Sequence, residues 1–156
     1  MIIAIGADHG GFELKEKVKE YLNKKGHKVK DYGTHSTESC DYPKIGFEVA
    51  KAVSDKKVSR GILVCKTGIG EAIVANKVPG ARAAVCPNIT CARFSRQHND
   101  VNVLVFGSLF VKEAEAKKIL DVWLETKFEG GRHKRRVNQI REIERKIAGT
   151  GLPACR

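Results

Sequence analysis

No apolar run in this 156-residue chain approaches the roughly 18 residues that a membrane-spanning helix needs. The opening "MIIAIGADHGG" reads as a strand and loop, without the basic region and cleavage site of a signal peptide, so the cytoplasm is the expected compartment. The cysteines, at 40, 65, 86, 91 and 155, are odd in number and include no CxxC pair. That pattern argues against a disulfide framework and against a structural zinc site, and every thiol except Cys65 reads as a small buried hydrophobe or an inert group. Nucleotide-binding fingerprints are missing too. "GADHGG" lacks the GxGxxG spacing, "GIGEAI" places Ile73 where the third glycine belongs, and there is no GxxxxGK[ST] loop. The aromatics, 6% of the chain, do not interleave with the dense basic stretch "GGRHKRR" at 130–136, so a base-stacking platform is not indicated. The net charge of +11 therefore fits a handler of phosphorylated metabolites better than a nucleic-acid binder. There is no internal repeat, low-complexity tract or interdomain linker.

What is present is an alternation of two hydrophobic periods. Strand-like runs occur at 2–7, 27–33, 61–65, 81–86 and 101–107. Helix-period segments fill the gaps at 12–26, 42–54, 70–77, 89–98 and 112–128, and a last one follows at 135–148. "GILVC" is a continuous apolar run, as a central parallel strand should be. The expected fold is α/β: a Rossmann-like three-layer αβα sandwich with a five-stranded parallel sheet, right-handed crossovers, and a C-terminal helix available to a partner subunit. Residues 1–148 form one domain, and the stretch 149–156 reads as a loose tail.

Ligands of such sheets sit beyond the carboxyl ends of the strands, near a switch point. Asp8-His9-Gly10-Gly11 follows the first strand, where carboxylate and imidazole suit sugar hydroxyls or a phosphate; the plainer alternative makes Asp8 a helix cap. Cys65-Lys66-Thr67-Gly68-Ile69-Gly70-Glu71 follows the central strand, and its backbone N–H groups form an anion or oxyanion site, unless it is merely a strand–helix turn. Helix start and Lys66 together are expected to favour the Cys65 thiolate. His98, within "RQHND", is a candidate proton shuttle. Arg132 and Arg136, four apart, are candidates for a forked phosphate grip. All four signals are read as belonging to one edge of the sheet.

Together these segments resemble the ribose-5-phosphate isomerase type B family, which includes isomerases of allose and galactose phosphates. The likeness covers residues 1–148 and rests on "DHGGF", "DYP" at 41–43, "C-x-TGIG…ANK" at 65–77, "SRQHNDVNVL" at 95–104 and "EGGRH…RV" at 129–137. It implies an aldose–ketose isomerase without metal or other cofactor, acting on a phosphorylated sugar. It also implies a homodimer or homotetramer whose sites are shared between subunits, with no nucleic-acid or membrane partner. On this chain Asp8 and His9 would hold the open-chain sugar, Tyr42 would line the pocket, and the backbone of Lys66, Thr67, Gly68, Ile69 and Gly70 would bind the enediolate oxygen. His98, with Thr67, would assist ring opening, Asn99 would hold substrate oxygens, and Arg132 and Arg136 would grip the phosphate.

Members of that family use either the cysteine ending the central strand or a glutamate at the position of Glu71 as base; this sequence has both. A free thiol lowered by a positive environment approaches neutrality, whereas a helix start lowers a carboxyl further away from it, so Cys65 is the favoured base and Glu71 its rival. Two departures stand out. Lys66 replaces a usual glycine, and Leu109 replaces a usual arginine, which raises the idea that Lys66 partly restores positive charge. Ribose 5-phosphate is the expected substrate; the alternatives are a six-carbon aldose phosphate or a non-catalytic phosphosugar-binding subunit.

Overall fold

The apolar runs become a parallel sheet because the central ones are buried on both faces by the helices that return the chain. The computed structural model describes residues 1–149. Its strands are β1 (Ile2–Ala7), β2 (Lys28–Asp31), β3 (Arg60–Cys65), β4 (Ala83–Val85) and β5 (Val103–Gly107). The helices are α1 (Phe12–Lys24), α2 (Tyr42–Ser54), α3 (Ile69–Ala75), α4 (Ile89–Asn99), α5 (Glu113–Glu125) and α6 (Gly131–Gly149). All strand pairs are parallel, in the order β2-β1-β3-β5-β4.

Strand alternation divides the core into two layers. Ile62 and Val64 of β3, with Leu104 and Phe106 of β5, face a cluster closed by α1, α4 and α5, including Val18, Leu22, Ile119 and Trp123. Leu63, Val103 and Val105 face the other way, onto Val49, Ala50 and Val53 of α2 and Ala75 of α3. This is the expected three-layer sandwich. The chain steps from β1 outward to β2 and then back across to β3, so the switch point lies between β1 and β3.

Most boundaries move by one to three residues, and three of the shifts have a plain cause or consequence. β4 shrinks to Ala83–Val85, because this alanine-rich edge strand pairs on one side only. α6 begins at Gly131 rather than 135, since Gly130 and Gly131 take positive φ and turn the chain into the helix early. Its first half buries His133 and Val137, while Ile140, Ile143 and Ile147 are exposed further along. Gly149 ends α6, so the first residue of the stretch expected to be a loose tail is helical, and 150–156 lie outside the described residues. Among the described residues no helix is long and apolar enough to cross a membrane.

Candidate active site

β1 and β3 end side by side at the switch point, and the turns that follow them interlock. Gly11 is required there: an added Cβ would lie 2.0 Å from the Val64 carbonyl oxygen. Asp8, buried, accepts the Gly11 amide through Oδ1 at 3.0 Å, so it braces its own turn. It does not cap α1, whose first residue follows Gly11 with no side-chain cap. His9 is exposed, and its Nδ1 lies 3.2 Å from the Cys40 amide, which donates to it. Ser108, after β5, donates to the Gly10 carbonyl at 2.7 Å and ties the third strand end to the first.

The loop from β3 into α3 is built around the thiol. The Gly68 amide donates to Cys65 Sγ at 3.1 Å, and Thr67 Oγ1 accepts the Ile69 amide at 3.3 Å. Gly68 stands at φ 84°, in the left-handed region that a side chain would strain. Tyr42, at the start of α2, stands over Gly70, where an added Cβ would lie 2.5 Å from its Cζ. Lys66 is exposed, keeps ordinary negative φ, and has no ion-pair partner among the described residues. Its carbonyl accepts the Leu109 amide at 3.1 Å. The two unusual residues are therefore hydrogen-bonded neighbours, and lysine brings no backbone strain to this loop.

The electrostatics reverse the expectation drawn from the helix start. Burial pushes the Cys65 thiol up, and so does the charge of Glu71; the Gly68 and Thr67 amides pull the other way without winning. Glu71 is not an exposed first-turn charge either. It has no exposed surface, neither carboxylate oxygen has a hydrogen-bond partner, and burial, with Asp8 and Cys40 nearby, raises its pKa to about 9. Desolvation outweighs the favourable field of a seven-residue helix. At neutral pH both groups hold their protons.

His98, Asn99, Arg132 and Arg136 do not join this cluster. In a parallel sheet, a helix that leaves the carboxyl edge returns to the amino edge, and His98 and Asn99 end α4 there. Arg82, just before β4, donates to the Asn99 carbonyl through Nε at 3.1 Å, and its own carbonyl accepts the Asn102 amide at 3.0 Å. The Glu129 amide donates to the Gln97 carbonyl at 3.1 Å, which starts α6 at the same edge. His98 is stacked between Phe94, with centroids 4.8 Å apart, and His133, with centroids 4.2 Å apart. Arg132 and Arg136 are exposed in the first turns of α6. A strand of five or six residues separates the two groups by about 17 Å. The expectation that all four signals share one sheet edge is thus corrected.

Three residues not singled out from the sequence belong to these clusters: Cys40 beside His9 and Glu71, Ser108 on Gly10, and buried His133 against His98. His133 lies within "GGRHKRR", where its neighbours are charged and nothing in the pattern marks it as the buried residue. His98, Glu129 and His133 also bring donor atoms within 4.8 Å of one another. Their geometry opposes a shared ion, because the imidazole planes are stacked 5° from parallel and one ion cannot lie in both. The positive charge of Arg132 and Arg136 near His133 opposes it as well.

The family model described as ribose/galactose isomerase matches residues 3–140. Ribose-5-phosphate isomerase B of Escherichia coli is 49% identical over 92% of this chain and 97% of the relative. A D-erythrulose-4-phosphate isomerase of Pectobacterium atrosepticum is 42% identical over 88% of this chain and 91% of its own length. A solved ribose-5-phosphate isomerase B of Clostridium thermocellum superposes with a TM-score of 0.93 at 52% identity, covering 94% of this chain and 99% of that one. The chain belongs to the ribose/galactose isomerase family.

Proposed function

We propose that the protein is a sugar-phosphate aldose–ketose isomerase that interconverts ribose 5-phosphate and ribulose 5-phosphate through an enediolate. The observation that carries this reading is the thiol of Cys65, set at the switch point and wrapped by the backbone amides of the following loop. As the thiolate, Cys65 removes the proton on C2 and negative charge moves to the oxygen on C1; a proton then passes from the oxygen on C2 to that on C1, and the proton on sulfur is delivered to C1 as the C2 carbonyl forms. The loop of residues 66–70 faces the developing oxyanion, where one amide donor is worth about 3 kcal/mol; without substrate its Gly68 and Ile69 amides are held by Cys65 Sγ and Thr67 Oγ1. Asp8, His9 and Tyr42 hold the open-chain sugar beside the thiol.

The remaining parts come from a second copy. The amino-edge group of His98, Asn99, Arg132 and Arg136 lies too far from Cys65 within one chain, so each site takes its ring-opening histidine and phosphate grip from the partner subunit. An apolar surface near the thiol loop supports such pairing: Ile69, Ile73, Leu109 and Phe110 are each more than half exposed. Phosphate at the first turns of α6 also gains from the helix dipole and from forked arginine contacts. The ammonium of Lys66 adds charge beside Leu109.

A purified sample assayed against four-, five- and six-carbon aldose and ketose phosphates tests the substrate. The five-carbon pair should show the highest kcat/KM; a four- or six-carbon preference replaces the substrate while keeping the chemistry. Cys65→Ala should lower kcat by at least 100-fold. If that variant keeps most of its turnover and Glu71→Gln loses it, the base is Glu71.

A further inference from the structure

A buried carboxyl without a partner is rare enough to require a use. Glu71 is the third residue of α3, directly after the loop whose Gly68 amide holds Cys65 Sγ. It is completely covered, and both of its oxygens lack hydrogen bonds. The groups that face it are acids: Asp8 from the end of β1, Cys40 from the segment leading into α2, and Cys65 from the end of β3. From α2 the Tyr42 phenol packs over the adjacent Gly70. No described cation pairs with it.

We propose that Cys65 and Glu71 form one acid–base pair that holds a single negative charge, with Cys65 meeting the substrate and Glu71, sealed behind it, acting as a positioning residue that governs when the thiolate exists. This rests on the reading of Cys65 as the base. Two charges cannot share so dry a space, so burial holds back even the first proton of the pair, and once it is lost the second leaves with greater difficulty still. After the first loss it has two forms. In one the carboxyl keeps its proton and sulfur carries the charge; in the other the carboxylate is charged and the thiol intact. Only the first can take the substrate proton. In that form the proton leaving C2 passes to Sγ and then from Sγ to C1, while Glu71 neither gains nor loses one. The second form is a resting state that withholds the base.

The arrangement is tested on the apoprotein by the thiolate absorbance near 240 nm, taken as the difference between each protein and its Cys65→Ser counterpart across pH. Removing the competing carboxylate with Glu71→Gln should let the thiol titrate in a single step at lower pH than in the unsubstituted protein. Glu71→Met should do the same, which separates charge from hydrogen bonding and covers a glutamine that fails to fold. The alkaline-going rise of kcat/KM should shift to lower pH in parallel. Unchanged thiol titration in both variants overturns the pairing and leaves Glu71 a structural residue. The absorbance does not depend on turnover. A shifted thiol in a protein inactive on every sugar phosphate would therefore refute the isomerase reading and spare the pair.

Discussion

At Glu71 a single carboxyl links stability to pH, and the sign follows from its burial. Its pKa rises from 4.5 to about 9 in the folded chain, with desolvation as the main cause. Between those values the folded state keeps a proton that the unfolded state has released, so unfolding free energy falls as pH rises through that window. Holding the proton at pH 7 costs on the order of 3 kcal/mol. Glu71→Gln has no proton to hold, and its own unsatisfied amide costs the same at every pH. The melting temperature of the variant, relative to the unsubstituted protein, should therefore climb steadily from pH 5 to pH 8. A gap that stays constant would mean that the carboxyl is ionised in the fold.

The elements depend on polar fastening as well as apolar burial, and β2 shows it best. Its faces are only partly buried, and Asp31 at its end is gripped by Lys15, which has no exposed surface, with Nζ 2.9 Å from Oδ2. Lys15 also donates to the Thr34 carbonyl at 2.6 Å, fixing the segment that runs on towards Cys40 and His9. Asp31→Asn leaves a buried ammonium with only half-exposed Glu16 as counter-charge. It should lower unfolding free energy by about 3 kcal/mol in urea titrations, whereas Lys19→Ala, at a more solvated pair, should lose about 1 kcal/mol or less. This network was not legible in the sequence, where Lys15 is one lysine among many on a helix. Periodicity did reveal all five strands and six helices, because each is buried against neighbours in a way that leaves its mark on residue order. The carboxyl-edge half of the site was legible too, since residues just after β1 and β3 must emerge there. The desolvation of Glu71 was not, as burial at one turn of α3 depends on packing from β1 and the segment before α2. Placement of His98 was available in principle. A helix following a parallel strand returns to the opposite edge, so the last residues of α4 had to lie away from Cys65.

At the scale of the whole molecule, if each site is shared as proposed, that return of α4 makes the two halves of the chemistry complementary between copies rather than within one. A chain carrying Cys65→Ala still has its own His98, Arg132 and Arg136 to lend, and a chain carrying Arg132→Ala with Arg136→Ala still has an intact thiol loop. Each is expected to be inactive by itself. When the two are co-refolded in equal amounts, random pairing makes about half of the dimers mixed, and each mixed dimer contains one site with both defects and one with neither. About a quarter of all sites should then work, and the recovered kcat per site should stand near that fraction of the unsubstituted value. Placing all the substitutions in one chain and refolding it with the unsubstituted protein supplies the control. There every mixed dimer combines one defective half with one intact half at each site, so activity should fall below the simple average of the parents. Absence of recovery in the first mixture, with dimers formed, would place the whole site inside one chain and would require α4 and α6 to reach the carboxyl edge by a route that this fold does not contain.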